Sequence, residues 1–441
     1  MKKSFLAVAG ALLIFASSAA ASELTENIKK DYDDYLAELF DHFHRNPELS
    51  TIEVETAARM ATELRDTGFE VFEHVAGTGV VALMKNGDGP LVMMRADMDG
   101  LPVEERTGLP NASKKTQEDP ITGNIVSTMH ACGHDVHITS LVGTARQMAS
   151  RKDEWSGTLM LVVQPAEERV IGAKAMRADG IWDRFGLPDY ALAFHVDANY
   201  VAGKVNISEG SPYAGADTVD IIIHGVGAHG AHPHRGKDPI VLGSQIVLAL
   251  QTLVARELSP RAPGVVTVGS FHSGTKHNII SDRAHLQLTV RNTSEETRKL
   301  LLDGIRRIAE NMGRVAGLPE DQLPEVIVSE ERVPPTINDA GLARRLKTAW
   351  ASAMGEDTVI DIPTMGMGAE DFPFFTVDPE ITSVYWKIGG TPEADFEREA
   401  AGGPPVASHH SPLFKIVPEP SVRAGVESTV VALLELMGKS S

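Results

Sequence analysis

Four short, almost wholly apolar runs, at residues 79–84, 91–96, 159–163 and 191–195, restrict the fold more than any other feature of the chain. Runs of that length without polar alternation suit strands buried on both faces. Helical spacing lies between them: Ile28, Tyr32, Leu36, Leu39 and Phe40, then Ala57, Met60, Ala61 and Leu64, and later a run from His134 through Leu141 and Ala145 to Met148. Asn46-Pro47 separates the first two helices. Buried strands alternating with helices predict an α/β layer architecture, here a three-layer domain around a central mixed sheet.

The pattern changes near Pro212. Residues 218–226 alternate, 239–258 form a helix, 264–271 and 285–291 are strands, 294–316 a long helix and 325–329 a last strand. That order, β-α-β-β-α-β, is the split layout of a small α+β sandwich. Helical spacing resumes at 340–353 and again at 422–437. The expected organisation is one domain inserted into another, residues 214–330 within 22–213 and 331–441.

Residues 1–21 stand apart. Lys2 and Lys3 precede an apolar run at 5–16, and Ala19-Ala20-Ala21 supplies the small residues of a cleavage site. An export signal cut near Ala21–Ser22 is expected, with a periplasmic or secreted product. No later stretch reads as a membrane span. The net charge of −19 disfavours nucleic acid and anionic membranes, and the 5% aromatic content disfavours a base-stacking platform. The single cysteine, Cys132, cannot form an internal disulfide, and a lone thiol in an oxidising compartment invites an explanation such as metal ligation.

Potential ligands gather at strand ends. Met129-His-Ala-Cys-Gly-His-Asp135 puts a thiolate and an imidazole two residues apart, in a loop that leads into a helix. Gln164-Pro-Ala-Glu-Glu168 follows one buried strand and His195 ends another. Adjacent acids point in different directions, so one can bind metal while the other addresses substrate, at the sheet end where ligands collect. Each signal alone is modest; buried cysteines and core histidines are common. The Gly- and His-rich stretch 225–234 and the loop pair His409-His410 add further candidates. On residues alone, a thiol hydrolase with Cys132 as nucleophile and His134 as base stays open.

The chain resembles the dinuclear metallopeptidases that include aminoacylases and glutamate carboxypeptidases, and more narrowly the hippurate hydrolase and indole-acetyl-amino-acid hydrolase branch. The resemblance rests on His44-Arg-Asn-Pro-Glu-Leu-Ser50, Arg95-Ala-Asp-Met-Asp-Gly-Leu-Pro102, the Cys132 and Glu168 stretches, Gly227-Ala-His-Gly230, Asp238-Pro-Ile240, Asn278-Ile-Ile280, Met367-Gly-Ala-Glu-Asp-Phe372 and His410-Ser-Pro412. It implies that Cys132, His134, Glu168, His195 and His410 hold two divalent ions (Zn²⁺, Mn²⁺, Co²⁺ or Ni²⁺), with Glu167 as general base. It also implies that Asp97 and Asp99 support the ligands, that Asn278 and Arg291 engage a substrate carboxylate, and that the inserted domain dimerises so that His229 serves the partner's site. The implied substrate is an N-acyl amino acid, cleaved at its amide; a short peptide cut by a carboxypeptidase or dipeptidase is the alternative. A non-catalytic binding protein is the remaining one, and it would need no general base. Arg169-Val-Ile171 replaces the glycine run usual after the acid pair, Lys276-His277 replaces the smaller residues usual before Asn278, and 114–128 is longer than in many relatives.

Overall fold

The computed structural model describes residues 23–364 and 366–439, so the expected export signal lies outside the described residues. The chain falls into two compact units, Met1–Pro212 with Ile337–Thr364 and Phe374–Ser441, and Tyr213–Thr336 with Met365–Pro373.

The first unit is built on an eight-stranded sheet in the order Glu70–Val75, Gly79–Asn86, Gly157–Gln164, Leu91–Asp97, Tyr190–Val201, Thr382–Thr391, Val205–Asn206 and Val359–Ile360. The sheet is mixed. Leu91–Asp97 runs parallel to both its neighbours, whereas Gly79–Asn86 pairs antiparallel to Gly157–Gln164. The four apolar runs are its interior strands or lie beside them, and their side chains are almost completely buried. Helices His134–Ser150 and Pro418–Met437 pack on each other and join the sheet's main core through Val136, Leu141, Val426 and Val430. Thr382–Thr391 is a strand that the apolar pattern does not single out, because Lys387, Gly389 and Gly390 interrupt it.

Register matters more than strand count for function. Asp97 pairs with Gln164, Arg95 with Ala193, and His195 with Lys387. The carboxyl ends of the parallel strands therefore deliver Asp97, the Glu167-Glu168 loop and His195 to one edge of the sheet, where ligands bind in open α/β sheets.

The second unit is the expected sandwich. Its sheet runs Gly264–Ser273, Arg283–Asn292, Gly215–His224, Glu325–Val328, packed against helices Pro239–Thr252 and Glu295–Val315. Asp238 and Ser294 cap those helices by accepting backbone N–H groups. One expectation needs correcting. Helix Pro239–Glu257 is long and apolar enough, by length and composition, to cross a membrane. Its Leu242, Ile246, Leu250 and Leu253 instead enter the sandwich core, leaving Ile240, Val241, Leu248 and Val254 exposed.

Candidate metal centre

Backbone conformation sets the site. Gly133 has φ +85°, and a Cβ there would stand 2.3 Å from Val196 Cγ1. Only glycine satisfies both constraints, and the left-handed turn immediately before helix His134–Ser150 lets Cys132 and His134 converge. Ala166, Val170 and His410 also have positive φ, at 52°, 56° and 65°. For non-glycine residues this costs on the order of 1–3 kcal/mol each, a cost tolerated where a site requires it. The acid loop is fixed by Ala166 N donating to Glu53 Oε1 (2.8 Å) and Glu168 N donating to Asp99 Oδ2 (3.0 Å). His410 N donates to Ala131 O at 2.8 Å, which ties the last loop directly beside Cys132.

Five groups of potential ligand atoms result among the described residues, Glu167 falling in one with His134 and Glu168 and in another with Glu370 and Asp371, and two of the five share Cys132. Those of Cys132, His134 and His195 lie within 4.8 Å of one another, as do those of Cys132, Glu168 and His410. Cys132 belongs to both. His195 Nδ1 is 2.6 Å from Val196 O, so its proton goes to that carbonyl, which leaves Nε2, 3.4 Å from Cys132 Sγ, as the atom free to ligate. His410 Nε2 lies 3.3 Å from Glu168 Oε2. His134 Nε2 is 3.9 Å from both Glu167 Oε2 and Glu168 Oε1. Neither ring nitrogen of His134, nor Glu168 Oε1, has a hydrogen-bond partner although all are buried. Asp99 Oδ1 stands 3.3 Å from His134 Nδ1, close enough to pair but not aligned as a hydrogen bond.

The electrostatics agree with a missing positive charge. Burial, with Glu168 and Glu167 nearby, pushes the Cys132 thiol well up. That is the reverse of what an activated nucleophile needs, and it weakens the thiol-hydrolase reading. Burial raises Glu168 to about 7 against the pull of His134. Burial alone would lower His134, but Asp97, Asp99 and Glu168 outweigh it and raise it to about 10. The cluster holds more negative charge than a dry site sustains, so protons make up the difference. Divalent cations would displace those protons and occupy the orphaned nitrogen and oxygen atoms, and the donors fit them.

The neighbouring group Asp97, His134 and His137 is also close enough to ligate, but its Asp97 and His137 already have partners. His137 Nε2 accepts Val196 N–H (2.9 Å), its Nδ1 donates to Asp97 Oδ1, and Arg95 Nη1 donates to Asp97 Oδ2 at 2.7 Å. Burial opposes ionisation of Asp97, yet Arg95, His134 and His137 hold its carboxyl well below the usual range. Asp97 Oδ2 and Asp99 Oδ1 thus flank His134, at 3.7 Å from Nε2 and 3.3 Å from Nδ1.

The structure adds supports that the sequence did not disclose. His44 Nδ1 pairs with Asp135 at 2.7 Å, Lys387 Nζ with Asp197 at 2.7 Å, and His409 Nδ1 lies 3.7 Å from Cys132 Sγ. His409 had a signal as one of the loop pair His409-His410, and His137, bonded to Asp97, had another, standing one helical turn beyond His134. The remaining expected residues belong to the second unit. His229 and Asn278 are neighbours there: Ala228–His229 pairs with Ile279–Ile280, and Gly230 N donates to Asn278 O at 2.8 Å. His229 is exposed, and its Nδ1 accepts Ala231 N–H (3.0 Å), which leaves Nε2 to carry the outward proton. Arg291 sits on a different strand, half-buried, and that burial lowers its pKa.

Comparison with known proteins identifies the family. Residues 93–418 match Peptidase family M20/M25/M40. The chain belongs to that family. It is 36% identical over 334 residues to a hippurate hydrolase of Campylobacter jejuni, covering 75% of this chain and 82% of the relative. It is 35% identical over 360 residues to thermostable carboxypeptidase 2 of Saccharolobus solfataricus, covering 80% and 86%. Among solved structures, a dinuclear metal-binding peptidase of Bacillus subtilis superposes with a TM-score of 0.75 at 28% identity, covering 92% of this chain and 99% of that one. This M20-family member is therefore a hydrolase with a mixed α/β fold.

Proposed function

We propose that this chain hydrolyses the amide bond of N-acyl amino acids at a two-cation centre in which Cys132 is the shared ligand. The carrying observation is that the two ligand groups, Cys132–His134–His195 and Cys132–Glu168–His410, have the thiol in common. Bound divalent ions supply Lewis acidity toward the amide carbonyl and toward a water. The thiol favours Zn²⁺ among common ions, while the imidazole and carboxylate donors also suit Mn²⁺, Co²⁺ and Ni²⁺. Glu167, next to a ligand and not itself counted among the five ligands, takes the proton of the attacking water and returns it to the leaving amine. His229 donates its Nε2–H to the carbonyl oxygen as charge develops there. Asn278 and Arg291 select a free carboxylate on the leaving amino acid.

We also propose a homodimer formed through the second unit, with His229 serving the partner's centre. Support comes from the apolar row Ile240, Val241, Leu248 and Val254 and from Phe271 on the adjoining edge strand, all exposed. Charged residues are the usual protection for such an edge. The export reading of residues 1–21 stands beside these as a proposal, tested by N-terminal sequencing of the mature protein.

Glu167→Gln tests the chemistry. Turnover should fall by roughly 10²–10⁴ with two ions per chain retained, and undiminished turnover would refute the assignment. The comparable identity to a carboxypeptidase favours one second reading, cleavage of short peptides at the C-terminus by the same residues. Comparing kcat/KM for benzoyl- and acetyl-amino acids with that for dipeptides separates the two.

A further inference from the structure

His409 stands against the shared ligand but in neither cation-holding group. Its Nδ1 lies 3.7 Å from Cys132 Sγ, within reach of a hydrogen bond to sulfur, and its Nε2 accepts Ala198 N–H at 3.1 Å. An imidazole nitrogen that accepts a backbone N–H carries no proton, so the proton of the neutral ring is on Nδ1 and faces the sulfur. Asp197 could compete for this ring, since its Oδ1 is 3.9 Å from Nε2. Its oxygens are engaged elsewhere: Oδ2 accepts Lys387 Nζ at 2.7 Å, and Oδ1 accepts Asn199 N and Nδ2, each at 2.8 Å. The ring is held in place by Phe414, 4.7 Å away and inclined at 36°, and by His195 edge-on at 5.3 Å. Phe414 belongs in turn to a small buried cluster with Met129, Ala131 and Ala198, so the support runs directly under the Cys132 loop.

The geometry points to His409 as a positioning residue that donates its Nδ1–H to the Cys132 thiolate and so sets how strongly that one sulfur binds both cations. A thiolate shared by two ions has lone pairs to spare, and a fixed N–H donor both orients the sulfur and withdraws charge from it. The backbone amide of Ala198 controls the proton's position, so the device needs no change in protonation. This inference rests on Cys132 being a metal ligand, as proposed above.

The test uses the full chain loaded with Co²⁺, reading the near-ultraviolet thiolate-to-cobalt charge-transfer band, the number of ions per chain, and the affinity from chelator competition. His409→Ala should move the band to longer wavelength and weaken affinity roughly 10-fold, with two ions still bound. His409→Asn carries an amide N–H at the δ position and should restore the wild-type band. His409→Gln places its donor at the ε position and should behave like alanine. The Asn and Gln variants decide the matter even if the alanine variant does not fold. An unchanged band and affinity in His409→Ala, or equal bands in Asn and Gln, overturns the proposal. A fall from two ions to one also overturns it, because His409 would then be a ligand itself. Absence of any thiolate band in the wild type would instead remove Cys132 from the ligand set and take both readings down.

Discussion

Two buried polar clusters lie side by side at one end of the same sheet, and they differ in what they lack. Around Arg95, Asp97 and His137 each charge has its counterpart within the protein: Arg95 bonds Asp97 and Gln164, and His137 bonds Asp97 and Val196. Around Cys132, His134 and Glu168, nitrogen and oxygen atoms equally shielded from water have no such partner. The first cluster is complete when the chain folds. The second is complete only when something positive arrives. Burial and charge are therefore poor guides to function here, and the separating feature is the unanswered hydrogen-bonding group.

That contrast can be broken experimentally. Cys132→Ala should abolish activity by roughly 10³-fold or more and leave fewer than two ions per chain, yet barely lower the melting temperature of the chelated protein. A large loss of apo stability would show the unpaired cluster to be structural after all. Arg95→Met should do the reverse, costing roughly 4 kcal/mol in denaturant unfolding because Asp97 is left charged and buried without its guanidinium partner, with only histidines beside it. His44 offers a test through pH, its Nδ1 paired with Asp135 at 2.7 Å and its Nε2 lying 3.5 Å from Glu105 without a hydrogen bond. Burial opposes its charge, but Asp135 and Glu105 prevail and raise its pKa from 6.5 to about 10. A raised folded-state value means that the contribution is full below about pH 6.5 and is lost as pH climbs through about 10. His44→Gln should cost about 3 kcal/mol at pH 6 and remove that alkaline slope, and a slope identical to wild type would contradict it. The smallest effect is expected of Gly133→Ala, roughly 2 kcal/mol from the forced left-handed backbone and the contact with Val196, together with weaker metal binding. Unaltered metal affinity in that variant would mean that the turn does not aim the ligands.

Much of this was legible in the sequence, for a physical reason. The candidate ligands sit at strand ends or next to glycine, so local pattern points to Cys132, His134, Glu168 and His195, and resemblance adds His410 and Glu167. The sandwich was equally readable, because amphipathic helices such as Glu295–Val315 carry their period in the chain itself. What stayed hidden depends on register between distant segments. Lys387 reaches Asp197 only because Thr382–Thr391 lies beside Tyr190–Val201 in one particular alignment. Arg95 bonds Gln164 for the same kind of reason. His409 was visible as one of a pair, but nothing local says which of the two faces the sulfur. The exposed face of helix Pro239–Glu257 was missed because a uniformly apolar helix gives no sign of which side the core takes.

The hydrogen bond from His410 to Ala131 has a consequence for how the folded chain is held. It brings a loop near the end of the sequence against one near its first third, and the ligand set spans the same interval. No short piece of the polypeptide contains a complete centre. A cation seated there would act as a removable cross-link, closing a very long loop and making metal content a direct readout of whether distant parts of the chain have found each other.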